Sequence, residues 1–462
     1  QANFDSTLIG NSVWLDGAAD LFTKSSFAGH ASKKVISVWV QRTGFSSFGL
    51  IRGTNGTGDR VGFGDNVLNN QVYVVVNGKN LYSNRSFRDI GWYHYLVSFD
   101  LTQSVAVNKV KVYINGVDLD GSGGWQTDER STMSSSFGTF DSASVAQQIG
   151  RDGSGSMYLN AYLAQYCELD GQSIQSGDVD TTDFYDTFTF GTNGSQIIPK
   201  KDSDIAALAT TAGSNSFCLD FANSSDLGND ISSNNNDFTT TSMSSANQSS
   251  NTPSLAYPLL NPLSAAFSTP LSNGNTTASG SSGNGDDINP GIIIPKTGKW
   301  VWQITNTTQA SLIYGVRNFS DMKAASYDYT NLYGFYTHNG TLVQGGSPSG
   351  SYLDAASGGD VYQIYFDADT RKMWVSDNGV IPNSGDPDGG TNEAFTIPDS
   401  GFDLCPTALV GSSTPNSTFD FGMDGVSLHA NGQTFKPLTS ANLPTPTYQG
   451  IDYFDATLYE GN

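Results

Sequence analysis

Short strand patterns that end at Asn-Gly dipeptides constrain this chain more than any other feature. One runs over residues 71–76 into Asn-Gly at 77–78, and another alternates strictly over residues 109–114 into Asn-Gly at 115–116. Alternation of apolar and polar residues favours a half-buried strand, and Asn-Gly favours the two-residue type I′ turn between antiparallel strands. The pattern predicts hairpins, and therefore antiparallel sheets.

The rest of the chain extends this prediction to an all-β protein. Further strand patterns cover residues 35–40, 92–99, 300–304, 362–366 and 372–375, while residues 202–209 give the one suggestion of a short helix. A length of 462 residues is too great for one β-sandwich and comfortable for two. We therefore expect two sandwiches, with the tryptophans of these strands largely buried: Trp39, Trp92, Trp300, Trp302 and Trp374.

The composition changes between the two strand-rich regions. Residues 215–253 are rich in Asn, Ser, Thr and Asp, yet they include Phe217, Leu219 and Phe238, which favours a partly packed connector over a free linker. The last residues turn Pro-rich. We predict a first domain over residues 1–195, a connector over 196–262, a second domain over 263–436 and a C-terminal tail over 437–462.

Charge and cysteine content exclude several kinds of partner. The net charge is −22, and Lys and Arg do not cluster, so neither nucleic-acid binding nor an anionic membrane surface is expected. No apolar run is long enough for membrane insertion. Cys167, Cys218 and Cys405 lie far apart without metal-ligand spacing, so buried thiols are expected and a disulfide framework is not indicated.

Several motifs carry a resemblance to a known family. Residues 87–94 (Phe-Arg-Asp-Ile-Gly-Trp-Tyr-His) and 110–117 (Val-Lys-Val-Tyr-Ile-Asn-Gly-Val) resemble the laminin-G/concanavalin A-like domain of marine bacteriophage structural proteins. Residues 298–302 (Gly-Lys-Trp-Val-Trp) and 374–379 (Trp-Val-Ser-Asp-Asn-Gly) resemble a SPRY-like sandwich. The resemblance implies two antiparallel β-sandwich domains of the jelly-roll, concanavalin A-like kind, joined by the Asn/Ser-rich connector.

The same resemblance implies a role at the virion surface. Such proteins are tail fibres, fibre tips or capsid fibres that contact other virion proteins and attach the particle to a host cell-surface glycan. A homo-oligomer, by family analogy a trimer, is expected because repeated weak sugar sites gain avidity. Two alternatives stay open: a structural decoration or assembly protein with no ligand of its own, and a polysaccharide depolymerase.

No catalytic residue is predicted. Glycoside hydrolysis needs two carboxylates that flank the glycosidic bond, and the chain has only four Glu, scattered along its length. Asp367 with Asp369 and Asp386 with Asp388 are pairs by spacing, but Asp favours turns, and turn carboxylates are the expected interpretation. No metal site is predicted either; Asp386, Asp388 and Asn392 form one oxygen-rich loop that is a weak candidate for Ca²⁺, the only cofactor considered.

Aromatic residues in loops are the candidates for glycan contact. Trp125 follows two glycines, and Tyr327, Tyr329 and Tyr333 lie in an aromatic cluster interleaved with Asp, Thr and Asn. Sugar C–H faces stack on aromatic rings, so we predict these four as glycan-binding residues and expect the two Asn-Gly hairpins to make no contact. The alternative for the tyrosine cluster is core packing, because strand side chains alternate between faces.

Overall fold

A computed structural model gives the fold of the chain. It describes residues 8–25, 27–45, 49–64, 70–153, 155, 157–190, 194–262, 271–279, 286–306, 312–321, 329–345, 347–401, 403–410, 416–425, 428 and 434–443. The described residues divide into two compact units, one up to Leu255 and the other over Ala256–Leu443.

The first unit contains the single α-helix of the described residues and eighteen strands. These are β1 (Ser12–Asp16), β2 (Leu21–Lys24), β3 (Lys33–Arg42), β4 (Gly49–Thr54), β5 (Gly56–Phe63), β6 (Gln71–Val76), β7 (Lys79–Ser86), β8 (Trp92–Asp100), β9 (Val110–Ile114), β10 (Val117–Asp118), β11 (Trp125–Asp128), β12 (Gln147–Ile149), β13 (Asn160–Asp170), β14 (Tyr185–Phe190), β15 (Gly194–Pro199), α1 (Asp202–Ala212), β16 (Phe217–Leu219), β17 (Thr239–Thr241) and β18 (Gln248–Ser249).

Two large antiparallel sheets form a sandwich in this unit. The first sheet has the order β10-β9-β8-β3-β13-β1-β18, with β16 also paired to β13, and the second has the order β11-β7-β6-β5-β4-β12-β2-β17. Alternation along β3 sends Ile36, Val38 and Val40 into the core between the sheets. The prediction of an antiparallel sandwich is confirmed for this half of the chain.

Both Asn-Gly dipeptides form the predicted hairpin turns. Asn77 and Gly78 have φ values of 49° and 72°, and Asn115 and Gly116 have values of 51° and 76°. Positive φ at both central residues is the mark of a type I′ turn. The turns join β6 to β7 and β9 to β10.

The outer face of the first sheet is also covered, which explains why β3 is buried on both sides. Val35 and Leu96 point away from the sandwich core and pack against Phe184, Tyr185 and Ile205. Phe184 precedes the two-stranded sheet β14-β15, and Ile205 lies on α1. This layer leaves part of the outer face open beside β14-β15.

A buried charge cluster lies inside the first sandwich. Lys34 Nζ is 2.7 Å from Glu168 Oε2 and 2.8 Å from Asp141 Oδ2. Arg52 Nε is 2.5 Å from Glu168 Oε1, and the Tyr166 hydroxyl donates to the same oxygen at 2.6 Å. The four charged side chains are at most 1 % exposed. Two cations and two anions balance each other away from water.

The described residues of the second unit contain three short 3-10 helices, no α-helix and fourteen strands. These are β19 (Leu271–Ser272), β20 (Thr277–Ser279), β21 (Asp286–Ile288), β22 (Lys299–Asn306), β23 (Leu312–Asn318), β24 (Leu332–Tyr336), β25 (Thr341–Gln344), β26 (Ser347–Ser351), β27 (Val361–Asp367), β28 (Lys372–Asp377), β29 (Phe395–Thr396), β30 (Leu404–Val410), β31 (Asn416–Asp420) and β32 (Lys436–Pro437).

This unit is also an antiparallel sandwich. One sheet has the order β19-β20-β31-β22-β27-β28-β29, with β32 parallel to β22, and the other has the order β21-β30-β23-β24-β25-β26. Trp300 and Trp302 of β22 face Tyr314 and Phe335 across the core. Trp374 is buried on the other face of its sheet with Tyr365 and Phe435.

The predicted domain boundaries need correction. Most of the connector predicted over residues 196–262, up to Leu255, belongs to the first unit, because β16, β17 and β18 pair with β13, β2 and β1. The units divide after Leu255, and the first residues of the predicted tail pair with β22 through β32. Four of the five tryptophans predicted as buried are at most 4 % exposed, whereas Trp92 is only partly buried. Within the described ranges, no helix has the length and apolar composition needed to cross a membrane.

Candidate functional site

A cleft on the outer face of the first sheet is a candidate site of the first unit. Its volume is about 420 Å³, which lies within the range of small-molecule sites. The residues that line it come from the sheet and from two hairpins: Trp39, Trp92, Asn115, Gly116, Val117, Tyr185, Thr187, Ser195, Gln196 and Ile197. We call it the tryptophan cleft.

Strand alternation places the two indoles in the cleft. On β8, Tyr93 and Tyr95 point into the sandwich core, so Trp92 and His94 point out of the opposite face. On β3, Trp39 is the direct partner of His94 across the strand pair. Trp39 is 4 % exposed and Trp92 is partly exposed, so Trp92 offers the more accessible ring.

His94 fixes the floor beneath the indoles. Its ring lies 4.9 Å from the Trp39 ring and 5.5 Å from the Tyr185 ring, and its Nε2 lies 2.9 Å from Ser37 Oγ. Burial lowers the pKa of His94 to about 3, because the charged imidazolium would lose its hydration without gaining a carboxylate partner. His94 is therefore neutral at physiological pH, as a packed, hydrogen-bonded residue.

Three buried nitrogen atoms at this floor have no hydrogen-bond partner. They are the indole Nε1 of Trp39, the indole Nε1 of Trp92 and the Nδ1 of His94. Leaving a buried polar group unpaired costs roughly 1–3 kcal/mol, so such groups are uncommon in native proteins. Two of the three belong to side chains that line the cleft, Trp39 and Trp92.

The walls of the cleft are two hairpins. Asn115 Oδ1 accepts the backbone N–H of His94 at 2.8 Å, which ties the β9-β10 turn to the floor. A Cβ on Gly116 would lie 3.0 Å from Tyr185 Oη and 3.2 Å from Ile197 Cγ2. The β9-β10 turn and the β14-β15 hairpin therefore approach each other closely only because residue 116 is glycine.

The cleft is uncharged. None of the described residues that line it carries a charge, and the polar groups are amides and hydroxyls. Two carboxylates near these hairpins form ion pairs. Asp118 Oδ2 lies 3.4 Å from Lys111 Nζ, and Asp186 Oδ1 lies 2.8 Å from Lys200 Nζ. Aromatic rings with neutral donors and acceptors suit a neutral polar ligand such as a sugar, and they offer no acid–base pair for its hydrolysis.

The aromatic residues predicted from the sequence lie elsewhere. Trp125 does not lie in a loop but begins the edge strand β11, where its Nε1 donates to Asp120 Oδ1 at 2.6 Å. The Arg130 guanidinium lies 5.4 Å from its ring centroid, and the ring is partly buried against the core. One face of this indole is thus already occupied.

The predicted tyrosines of the second unit are not a common ring surface. Tyr333 is 6 % exposed and packs edge-to-face against Phe395, so its ring belongs to the core. Tyr329 is partly buried and contacts Tyr336 with ring centroids 6.3 Å apart. Tyr327 lies outside the described residues. The core alternative therefore applies to Tyr333, and a stacking role for it lacks the exposed face that stacking requires.

The oxygen-rich loop of the second unit is internally bonded. Asp386 Oδ1 accepts from the Gly389 N–H at 2.9 Å, Asp388 Oδ1 accepts from Thr434, and Asn392 Nδ2 donates to Ser384 O at 3.1 Å. Among the described residues, no group of three or more His, Cys, Asp or Glu side chains is placed to hold a metal ion. Asp386, Asp388 and Asn392 serve as turn residues here.

The carboxylate pairs considered for hydrolysis are also used by the backbone. Asp367 Oδ1 accepts the N–H groups of Asp369 and Thr370, and Asp369 Oδ2 accepts the Gly298 N–H. These are the local bonds that Asp makes in turns. These contacts do not place Asp367 and Asp369 on opposite sides of an open cleft.

Two sequence motifs contribute residues to the tryptophan cleft. They are the Trp-Tyr-His strand and the second Asn-Gly hairpin, although the sequence predicts no glycan contact for the hairpins. The structure instead lines the cleft with Asn115 and Gly116 and with Trp92 of that strand. Their convergence depends on the pairing of β8 with β9, which brings Asn115 back to His94.

Comparisons with known proteins return structural similarity only. The chain matches no protein-family model and no curated protein sequence. Among solved structures, the SPRY domain of human HERC1 is similar at 18 % identity with a TM-score of 0.28, over 34 % of this chain and 94 % of that one. A second human SPRY domain is similar at 10 % identity with a TM-score of 0.26, over 33 % of this chain and 95 % of that one.

Proposed function

We propose that this protein attaches a bacteriophage particle to its host by binding an uncharged glycan in the tryptophan cleft. The observation that carries the proposal is the composition of the cleft: a partly exposed indole with side-chain amides and hydroxyls around it. A sugar ring presents C–H groups that stack on an indole and hydroxyls that pair with amides. Both kinds of contact have partners in this cleft.

The charge distribution favours a neutral sugar over an acidic one. The net charge of the chain is −22, and the cations nearest the cleft hairpins, Lys111 and Lys200, are already engaged by carboxylates. A sialic or uronic acid would bring a carboxylate to a site without a cation to pair with it. Burying a carboxylate without a partner carries a desolvation cost that a neutral sugar does not incur.

The setting on a virion rests on the motifs of the sequence. The laminin-G-like and SPRY-like motifs together resemble marine phage fibre and capsid-fibre proteins, and this resemblance supports our proposal that the site lies on the particle surface among other virion proteins. A trimer would present three copies of a weak sugar site, and such repetition raises avidity without any new contact. No step of the proposal requires catalysis.

A glycan panel tests this function. We expect the full-length protein to bind one or more immobilised neutral glycans of host cells and to ignore those that end in sialic or uronic acid. Trp92→Ala should weaken binding about fivefold, since loss of one stacked ring is worth on the order of 1 kcal/mol. Adsorption of the purified protein to host cells should fall in parallel.

Trp14→Ala is the matched control. Trp14 is partly buried on β1 of the same sheet, and it does not line the cleft. This variant should bind as the parent protein does. If no neutral glycan binds, or if both variants lose binding equally, the tryptophan cleft is not a glycan site, and the alternative of a structural decoration protein would be favoured.

A further inference from the structure

Two of the three cysteines lie directly opposite each other. Cys167 of β13 and Cys218 of β16 are register partners in an antiparallel strand pair, and both are fully buried. They are 51 positions apart in sequence, so their spacing does not predict that they are in contact. Cys405 is buried in the other unit.

The backbone bonds show which kind of strand partner they are. The N–H of Cys218 donates to Asp230 Oδ1 at 2.9 Å, and its carbonyl accepts the N–H of Ile231 at 2.9 Å. The Cys218 N–H therefore points away from β13, so the two cysteines form a non-hydrogen-bonded pair. In such pairs the Cα atoms approach to about 4.5 Å, the closer of the two antiparallel spacings.

This spacing lies within the range that a disulfide bridges, which begins at about 4.4 Å between Cα atoms. The thiols also contact each other, because the Cys218 side chain hydrogen-bonds to Cys167. The strand pairing alone supplies the approach.

We propose that Cys167 and Cys218 are a disulfide-forming pair that closes when the chain folds in the presence of a disulfide oxidant. With oxidised glutathione, one cysteine thiolate attacks the glutathione disulfide and releases one glutathione thiolate. The other cysteine then attacks the mixed disulfide, forms the Cys167–Cys218 bond and releases the second glutathione. Two protein thiols are oxidised, one glutathione disulfide is reduced, and the two protons end on the released glutathiones.

The bond would enclose the segment that builds one wall of the tryptophan cleft. Between the two cysteines the chain runs through β14, β15 and α1, and β14-β15 contributes Tyr185, Thr187 and Ile197 to the cleft. Because both sulfurs are buried in the folded unit, the bond has to form before β16 is fully docked. Once formed, it ties β16 to β13 and limits opening of this layer.

Refolding under controlled redox conditions tests the proposal. The full-length protein is unfolded and reduced, refolded either in a glutathione redox buffer or in dithiothreitol, then unfolded again and alkylated with iodoacetamide. We expect one alkylated cysteine, Cys405, after the glutathione buffer and three after dithiothreitol. Peptide mapping should give a Cys167–Cys218 crosslinked peptide, and the thermal midpoint of the first unit should rise by several degrees in the oxidised form.

Cys218→Ser provides the control, since a serine removes one sulfur and keeps the size of the side chain. This variant should give no crosslinked peptide in either buffer. Three alkylated cysteines after refolding in glutathione buffer, or a crosslink that includes Cys405, would overturn the proposal. Neither result would bear on glycan binding, which is measured on the reduced protein.

Discussion

Replacing Glu168 by Gln should lower the unfolding free energy of the first unit far more than a substitution at the surface does. Glu168 accepts from Lys34, Arg52 and Tyr166 and is fully buried. Gln keeps the shape of the side chain but removes its negative charge. The cluster then holds two cations and only the Asp141 carboxylate, which leaves a net positive charge without water or a counter-ion.

The size of the effect follows from two independent arguments. Burial raises the pKa of Glu168, but Arg52 and Lys34 outweigh burial and hold that pKa at about 2, against an ordinary value of 4.5. Since each tenfold change in an equilibrium constant is worth about 1.4 kcal/mol, this difference corresponds to roughly 3 kcal/mol. Breaking a buried ion pair by removing one partner costs about 3–5 kcal/mol. We expect a loss of about 3–5 kcal/mol.

Guanidinium unfolding followed by tryptophan fluorescence and circular dichroism measures this loss. The transition of the first unit should move to lower denaturant for Glu168→Gln, while that of the second unit stays in place. Glu129→Gln is the control, because Glu129 is a surface residue 3.9 Å from Lys79, and it should leave both transitions unchanged. A Glu168→Gln protein as stable as its parent would refute the idea that the cluster depends on charge balance.

Three further predictions follow from burial and packing. Acid should weaken the first unit between about pH 4.5 and pH 2, because the pKa of Glu168 is lower in the folded state than in the unfolded state. The stability that this difference provides is present above the unfolded-state pKa and is lost as the pH falls through the folded-state pKa. Circular dichroism during an acid titration checks it. Gly315→Ala should cost on the order of 1–3 kcal/mol of the second unit's unfolding free energy, because its Cβ would lie 2.0 Å from the Tyr333 carbonyl oxygen; a shifted denaturant midpoint checks it. Tyr333→Ala should reduce the unfolding free energy of the second unit by about 3 kcal/mol, because the Tyr333 ring lies in the core, and it should not change glycan affinity. A melting curve and a glycan-binding curve of the same variant check it.

Local patterns predicted the elements well and their long-range use poorly. Residues 71–76 form β6, and both Asn-Gly turns have the expected backbone, because alternation and turn chemistry act over a few residues. The region from residue 215 was interpreted as a connector because its polar composition matches a linker. In the fold, Asp230 accepts from Cys218, Ser232 and Asn236, while Phe217 and Phe238 of the same segment pack into the core of the first sandwich.

The functional site was harder to predict, because it depends on which face of a strand points outward. Tyr333 and Trp92 both lie in strands with clear alternation, yet one points into a core and the other into a cleft. Composition cannot choose between the two faces when both are covered, as they are along β3 and β8. The hairpin β14-β15 that covers the outer face is distant in sequence from both strands.

The most direct test of the central claim compares the same substitution in the two Asn-Gly turns. Gly116 and Gly78 have φ values of 76° and 72°, so Ala imposes the same backbone strain at both. At residue 116 the new methyl meets Tyr185 and Ile197 at the cleft wall, whereas at residue 78 nothing lies within 4 Å. The two variants therefore differ in what they do to the tryptophan cleft.

The measurement is isothermal titration of each variant with the neutral oligosaccharide that gives the strongest signal in the glycan panel. We predict that Gly116→Ala weakens binding by tenfold or more, while Gly78→Ala binds within about twofold of the parent protein, since a tenfold change corresponds to about 1.4 kcal/mol. Both variants should melt at a lower temperature because of the shared backbone strain, and Gly116→Ala should melt lower than Gly78→Ala because its methyl also meets Tyr185 and Ile197. Equal affinity for the two variants would contradict the assignment of the cleft as the glycan site.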